Sequence, residues 1–465
     1  MCDDITNQHV LRRYLILPLL RRRAFAAVVS LFFTSITSAF AIPYPRSTVA
    51  PPPECYLDIP FLPQETGLNR LMFTLDDHGV KPFVKYWGDF LSNPVGGISQ
   101  AADWFQLLVY GVRLDLARLM HWPGGEFTLS AIDSGGDDLQ GDVGTLFTPA
   151  QVVTVRGSAL FLLYFTQHLF EDVLELKVGR ASTGAFYARL PVMGLPVSGA
   201  VNGNPISLLY NASGFHATGK SNWMANVKVK PTKEISFQTG IFQVTTQRMN
   251  KHWFNGVDFS FRRGDGIILV SEAGWSPAFF AEQGAVQRSC PEPRGAEPFE
   301  GLLGLYQLGG YYQNYPMLPL LQSDPFRNVY GFYFQGQQMV WRSREYQNLN
   351  VTIWGGITYS PQQQIALMPL MAYGGVAWAG LFPYREHDQL LLNFYLGGYS
   401  RDYSRSFIAA GEGSRTLELT FEVSYIFQIT RQIQFQPDLQ WFIQPGGARN
   451  IPNALVLGFQ VAFVY

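Results

Sequence analysis

"RQIQFQPDLQW", residues 431–441, decides how the chain is read. Gln432, Gln434, Gln436, Asp438 and Gln440 fall on even positions, and Ile433, Phe435, Leu439 and Trp441 on odd ones. Successive strand side chains point to opposite sides, so this alternation describes a strand with one wet face and one apolar face. In a soluble sandwich the apolar side faces a shared core. In a membrane barrel it faces lipid, and the Gln/Asp side lines the lumen. The rest of the chain has to separate these two readings.

Composition narrows the choice. The 465 residues are 47% hydrophobic and 15% aromatic, and only 15% are charged, against roughly 25% in an ordinary soluble domain. With 45 Gly and 36 Phe and few helix-favouring runs, the chain favours sheet and turns. A formal net charge of −1 gives no basic patch for nucleic acid. Outside residues 11–41 there is no apolar run of about 18 residues, so a helical membrane protein is excluded and any membrane crossing is made by strands.

Arg12, Arg13, Arg21, Arg22 and Arg23 precede "AFAAVVSLFFTSITSAFA", which ends at Ala39-Phe40-Ala41 in the small-residue pattern of a cleavage site. Residues 1–41 therefore read as a secretory signal; the other reading is an N-terminal membrane anchor. Residues 42–64 hold seven prolines and read as an extended leader, followed by residues 65–465 as the barrel domain. Cys55 and Cys290 remain after the signal, with Cys2 lost with it; two cysteines give no disulfide framework, and no CxxC or Cys/His metal spacing is present. Leu68, Leu71, Met72 and Leu75 at helical spacing, with Gly79 as a stop, predict one short N-terminal helix.

Beyond it the alternation recurs. Val112, Leu114 and Leu116 oppose Arg113 and Asp115; Leu174, Leu176 and Val178 oppose Glu175 and Lys177; Val227 and Val229 oppose Lys228 and Lys230. Leu417, Leu419, Phe421, Val423 and Tyr425 alternate with Glu418, Thr420, Glu422 and Ser424, and Leu455, Leu457, Phe459, Val461, Phe463 and Tyr465 share a face. A terminal aromatic in phase with the apolar face, and Tyr, Trp and Phe near strand ends, match the aromatic girdles of a transmembrane barrel. A soluble sandwich of this length would normally split into domains. The expected fold is an all-β, transmembrane antiparallel β-barrel of 16 strands, with 18 also fitting, since spanning strands need about 9 to 11 residues. A barrel of that size encloses an aqueous channel unless its own loops plug it.

Several stretches, in order from about residue 66 onward, resemble the carbohydrate-selective porin family of Gram-negative outer membranes: "HWPGGEFTLSA", "GTLFTPAQVV", "QHLFEDVLELKVGR", "GVDFSFRRGDGIILVSEAGW", "YGFYFQGQQMVWR", and above all "FEVSYIFQITRQIQFQPDLQWFIQPGGARNIPNALVLGF". The closing block is specific because it joins an alternating strand, a "QPD" step, a "PGG" turn and a terminal strand in one order. The resemblance implies a 16-stranded barrel through which sugars diffuse into the periplasm past a charged and polar constriction. The family pattern carries an acidic residue just ahead of "QHLFEDVLELKVGR", where this chain has Thr166, which implies a wider or differently selective pore.

A sugar offers hydroxyls and an apolar ring face, so a selective channel needs hydrogen-bonding groups and aromatic surfaces, bound weakly enough to allow exit. By alternation the expected lumen residues are Arg113, Asp115, Glu175, Lys177, Lys228, Lys230, Glu418, Glu422, Gln434, Gln436, Asp438 and Gln440. Their mixed signs suggest a pore that is not simply anion- or cation-selective. "DSGGDD", residues 133–138, lacks the full ligand spacing of a calcium loop and reads as a solvated turn. Asn211 and Asn350 match the glycosylation acceptor pattern, incidentally for a bacterial barrel. His121, His168, His216, His252 and His387 are scattered and there is no GxSxG, so no catalytic constellation is expected. The expected partners are permeating sugars, outer-membrane lipid and the barrel-assembly machinery through the C-terminal strand, with no nucleic acid and no cofactor, in a monomer or a trimer. A general diffusion porin and a non-conducting structural barrel are the rival readings.

Overall fold

A computed structural model describes residues 67–150, 156–245, 254–282, 299–321, 324–344, 346, 348–382 and 385–464. The signal and leader expected over 1–64, both Cys55 and Cys290, and Tyr465 lie outside the described residues. A helix spans Gly67–Asp77, where the spacing of apolar residues predicts one.

From Val80 the backbone runs as sixteen long strands: β1 (Val80–Val95), β2 (Ala102–Asp115), β3 (Gly125–Gly136), β4 (Gly157–Leu169), β5 (Leu174–Ala181), β6 (Asn222–Val229), β7 (Ile235–Val244), β8 (Gly266–Trp275), β9 (Leu302–Gln313), β10 (Val329–Arg342), β11 (Asn350–Tyr359), β12 (Leu370–Ala379), β13 (Gln389–Gly398), β14 (Leu417–Gln428), β15 (Ile433–Ile443) and β16 (Ala454–Val464). Each pairs antiparallel with its neighbours in sequence, and a two-residue segment, Ala278–Phe279, pairs with Leu302 and Leu303 beside β9 without adding a wall strand. The sheet closes when β1 pairs with β16 as well as β2, with Lys85 opposite Val464 and Phe90 opposite Phe459. Closure removes the unpaired edges that lipid cannot satisfy.

The opening stretch now has its answer. On β15 Gln436, Asp438 and Gln440 are 3%, 5% and 0% exposed and point inward, whereas Phe435, Leu439 and Trp441 are 38%, 39% and 48% exposed on the outer surface. The same reversal of soluble-protein logic holds on β14, where Glu418, Thr420 and Glu422 are buried inside and Leu417, Phe421 and Val423 face out. No helix among the described residues is long and apolar enough to cross a membrane. Among the described residues the outer apolar band is the surface suited to lipid.

The connections differ at the two ends. Segments 170–173, 230–234 and 429–432 are tight turns at one end, which also carries the longer connection 276–301, whereas 137–156, 182–221, 245–265 and 399–416 are long connections at the other. Short turns mark the periplasmic end of outer-membrane barrels and long loops the outer end. Two of the long loops fold back inside. Leu139, Val143 and Phe147 from the first, with Leu190, Val192, Met193, Val197 and Val201 from the second, pack against inward Leu107, Ile132, Met371, Leu391, Phe442 and Val456 in one buried cluster. Burying each large side chain of this kind is worth about 1.5–3 kcal/mol. The barrel thus has an apolar outside and, over part of its lumen, an apolar inside.

Leu457 stands on the outer face of β16. Leu457→Arg should cost assembly about 2–4 kcal/mol if near the bilayer midplane. Heat-modifiable electrophoretic mobility after refolding into detergent or lipid reads this directly: a normal folded fraction would place Leu457 elsewhere.

Candidate functional site

The inward loop 182–221 enters the lumen from β5 and is held to the wall by polar side chains of several strands. Glu272 on β8 accepts hydrogen bonds from the backbone N–H of Ala188 at 2.9 Å, from Gln238 at 2.8 Å, from Gln307 at 3.1 Å and from the Tyr333 hydroxyl at 2.7 Å. Glu422 on β14 accepts from the N–H groups of Val197 and Ser198 at 2.8 and 2.9 Å, from Asn393 at 3.0 Å and from the Tyr395 hydroxyl. Glu418, two inward positions away with Thr420 between, accepts from Leu146 N–H at 3.2 Å and from the hydroxyls of Thr145 and Tyr399, and so holds the first inward loop. A carboxyl taken out of water is tolerated when its oxygens are met by several donors.

Amides add to these contacts. Gln238 donates to Phe186 O at 2.9 Å, Gln337 accepts from Val192 N–H at 3.2 Å, Gln436 donates to Leu195 O at 3.0 Å and Gln440 donates to Pro149 O at 2.8 Å. Asn211, at the end of the helix Ile206–Asn211, donates to Met368 O at 2.7 Å and accepts from Met368 N–H at 3.1 Å. Its amide is 1% exposed, so this glycosylation match is a buried clamp. Within the loop, Tyr187 donates to Asn226. Burial first, and then the Glu272 charge, hold its phenol well above the ordinary range, so it remains a donor.

Glycines on the wall make room for these side chains. Gly309 lies opposite Tyr333, Gly331 opposite Tyr311 and Gly356 opposite Tyr373. A Cβ at Gly309 would sit 2.3 Å from the Tyr333 ring, and one at Gly356 would sit 2.7 Å from Tyr373 Cζ. The rings lie flat on the wall over these gaps, and Tyr373 reaches Gln335 at 2.7 Å. Glycine is required by this close approach.

The loops leave the β1–β6 side with side chains that meet water. Lys85 on β1, Arg113 on β2 and Arg189 on loop 182–221 are exposed, and Lys85 lies within electrostatic range of both arginines. Arg189 is enclosed enough that burial pulls its guanidinium below the ordinary value, although it stays a cation. Arg113 pairs with Glu126 on β3 at 3.2 Å. Glu175 and Lys177 on β5 pair with each other, Lys228 stands opposite Glu175 on β6, and Lys177 lies 5.6 Å from the centre of the Phe186 ring on the loop.

Placed in this geometry, the residues chosen by alternation separate into groups. Arg113, Glu175, Lys177 and Lys228 surround the open side; Glu418, Glu422, Gln436, Asp438 and Gln440 are buried under the loops, 5% exposed or less. Gln434 donates to Gln428. Asp115 caps the short helix Leu116–Met120 through Ala117 N–H, and Lys230 follows the end of β6, its N–H bonded to Val173 O. Thr166 is inward and 2% exposed, flanked across the ladders by Glu126 and Lys177. The residues chosen by alternation leave out Lys85, Glu126, Glu272 and Arg189. Glu126 begins an alternation with Thr128 and Ser130 against Phe127 and Leu129 that marks it as inward, Glu272 is the lone charge on β8, and Arg189 sits on a loop with no periodicity.

A family model described as "Carbohydrate-selective porin, OprB family" matches residues 99–465. The chain belongs to that family. It is an outer-membrane sugar porin, and the family and fold are those of a channel rather than an enzyme. It is 22% identical to Porin B of Pseudomonas aeruginosa over 419 residues, which cover 82% of this chain and 87% of that one. Among solved structures, the high-pH structure of Pseudomonas putida OprB gives a TM-score of 0.76 at 20% identity, covering 86% of this chain and 97% of that chain. The low-pH structure of the same protein gives 0.54 at 18% identity, over 90% and 100%. These structural likenesses establish the barrel fold.

Because Glu422 is where the wall holds Val197 and Ser198, Glu422→Ala should free that part of the loop while the sixteen strands still close. Hydrogen bonds to a charged group are each worth about 1.5–3 kcal/mol. Single-channel conductance in planar bilayers should rise and become noisier; unchanged conductance would show that the loop is held without this carboxyl.

Proposed function

We propose that sugars cross this barrel passively along the β1–β6 side of the lumen, past a constriction formed where loop 182–221 brings Arg189 opposite Lys85 and Arg113. The observation that carries this reading is the division of the lumen: apolar side chains, Leu107 and Ile132 of β2 and β3 among them, and the buried glutamates lie under the loops, and exposed or half-buried charged side chains gather on β1–β6 towards the tight-turn end. Arg113, Glu126, Glu175, Lys177 and Lys228 offer donors and acceptors to sugar hydroxyls, with Arg189 from the loop. Arg113 and Arg189 stay solvated, Glu126, Glu175 and Lys177 already have ionic partners and Lys228 stands opposite Glu175, so a sugar binds weakly and can leave.

In this reading residues 1–41 direct export and are removed, 42–64 are a leader ahead of the barrel, and the outer apolar band contacts outer-membrane lipid. The final strand β16, with Leu455, Leu457, Phe459 and Val461 outward, is the segment that barrel-assembly machinery would engage.

Liposomes containing the refolded mature chain test the reading through swelling rates with glucose, a disaccharide and an amino acid of glucose-like size. Faster entry of glucose than of the amino acid supports carbohydrate selectivity. Rates ordered by size alone favour a general porin, and no swelling favours a closed structural barrel.

A further inference from the structure

The charges that meet water in the lumen are unbalanced. Glu126 is engaged by Arg113, and Glu175 is bonded to Lys177 while also standing opposite Lys228. Among the described residues Lys85, Arg189 and Lys228 form no ion pair. The segment 182–221 brings Arg189 into the lumen and contains no Asp or Glu. Of the other acids on inward registers, Asp115 is paired with Arg118 at 3.4 Å and Asp103 lies at the opposite end of β2 from Arg113, while Glu272 is 7% exposed and met by four donors, and Asp89, Glu418, Glu422 and Asp438 are 5% exposed or less. Of these, Glu272 lies within electrostatic range of Lys228 and offsets part of its charge. Lys85 has as its charged neighbours Arg113 and Arg189, both cations.

From this imbalance we propose that the passage favours carbohydrates bearing a carboxylate, the aldonates and uronates, over neutral sugars of the same size. The inference rests on the constriction lying along the β1–β6 side, as proposed above. A carboxylate on a sugar finds unpaired ammonium and guanidinium groups at Lys85 and Arg189 while its hydroxyls meet the paired residues beside them. A cation several ångströms from the path raises the local concentration of a monoanion by about threefold in water. The preference should shrink as salt shortens the screening length.

Glucose and glucuronate differ at C6 alone, hydroxymethyl against carboxylate, and so probe charge at nearly constant size. Tracer exchange from proteoliposomes of the mature chain, with equal total sugar on both sides so that no net charge moves, compares the two at low salt. The expected result is glucuronate exchange faster than glucose by about threefold or more, falling towards equality in Lys85→Gln and Arg189→Gln and at high salt. Heat-modifiable mobility confirms that each variant is folded, and two variants on different elements guard against the loss of one. Glucose exchange with glucuronate no faster in the wild-type chain overturns the inference and leaves the porin reading standing. Exchange of neither sugar overturns both.

Discussion

The arrangement of the lumen depends on buried carboxyl groups meeting backbone N–H groups that also need partners. Glu272, Glu418 and Glu422 project from the wall into a region closed off from water, where an uncompensated carboxyl is costly. The inward loops arrive with free peptide N–H groups at Ala188, Val197, Ser198 and Leu146, which are equally costly to leave unbonded. Each side satisfies the other. Because the glutamates stand at fixed registers on a closed sheet, the loops are fixed in position as well, and the width of what remains open follows from that.

This places two chemistries side by side within one barrel. Under the loops, Phe147, Val192, Met193 and Val197 form a core as dry as that of a soluble domain. On β1–β6, inward charged side chains keep contact with water, Lys85 and Arg113 as exposed residues and Glu126, Glu175, Lys177 and Lys228 in part. The tyrosine–glycine pairs on β9–β12 serve the same division: flat rings line the wall without filling the lumen, and their hydroxyls join the polar contacts at Glu272, Gln335 and Ser360. A channel of this kind is narrowed by packing and made permissive by the solvated residues that packing leaves uncovered.

Much of this was legible in the alternation alone. The inward and outward faces of β14, β15 and β16 follow from period-2 patterning, because a one-residue slip would send every Gln and Glu into lipid. The helix Gly67–Asp77 followed from the spacing of its leucines. The site was legible only in part. Glu422 and Gln440 carry the same pattern in the sequence as Glu175 and Lys177, yet the first two lie under the loops and the second two beside the open side. Alternation reports which side of a sheet a residue takes and carries no information about what lies against that side.

The sequence by itself determined the class of structure: a low-charge, strand-rich chain whose apolar faces look outward and whose polar faces look inward, because lipid outside and water inside impose opposite solubilities on the two sides of every strand. The tertiary structure decided which inward residues meet water. Arg189 is held within range of Lys85 because Ala188, one residue before it, is tied to Glu272 on a strand distant in sequence, and Val197 and Ser198 beyond it are tied to Glu422 on another. Those contacts join parts of the chain that no local pattern relates, and only closure of the barrel brings them within hydrogen-bonding distance.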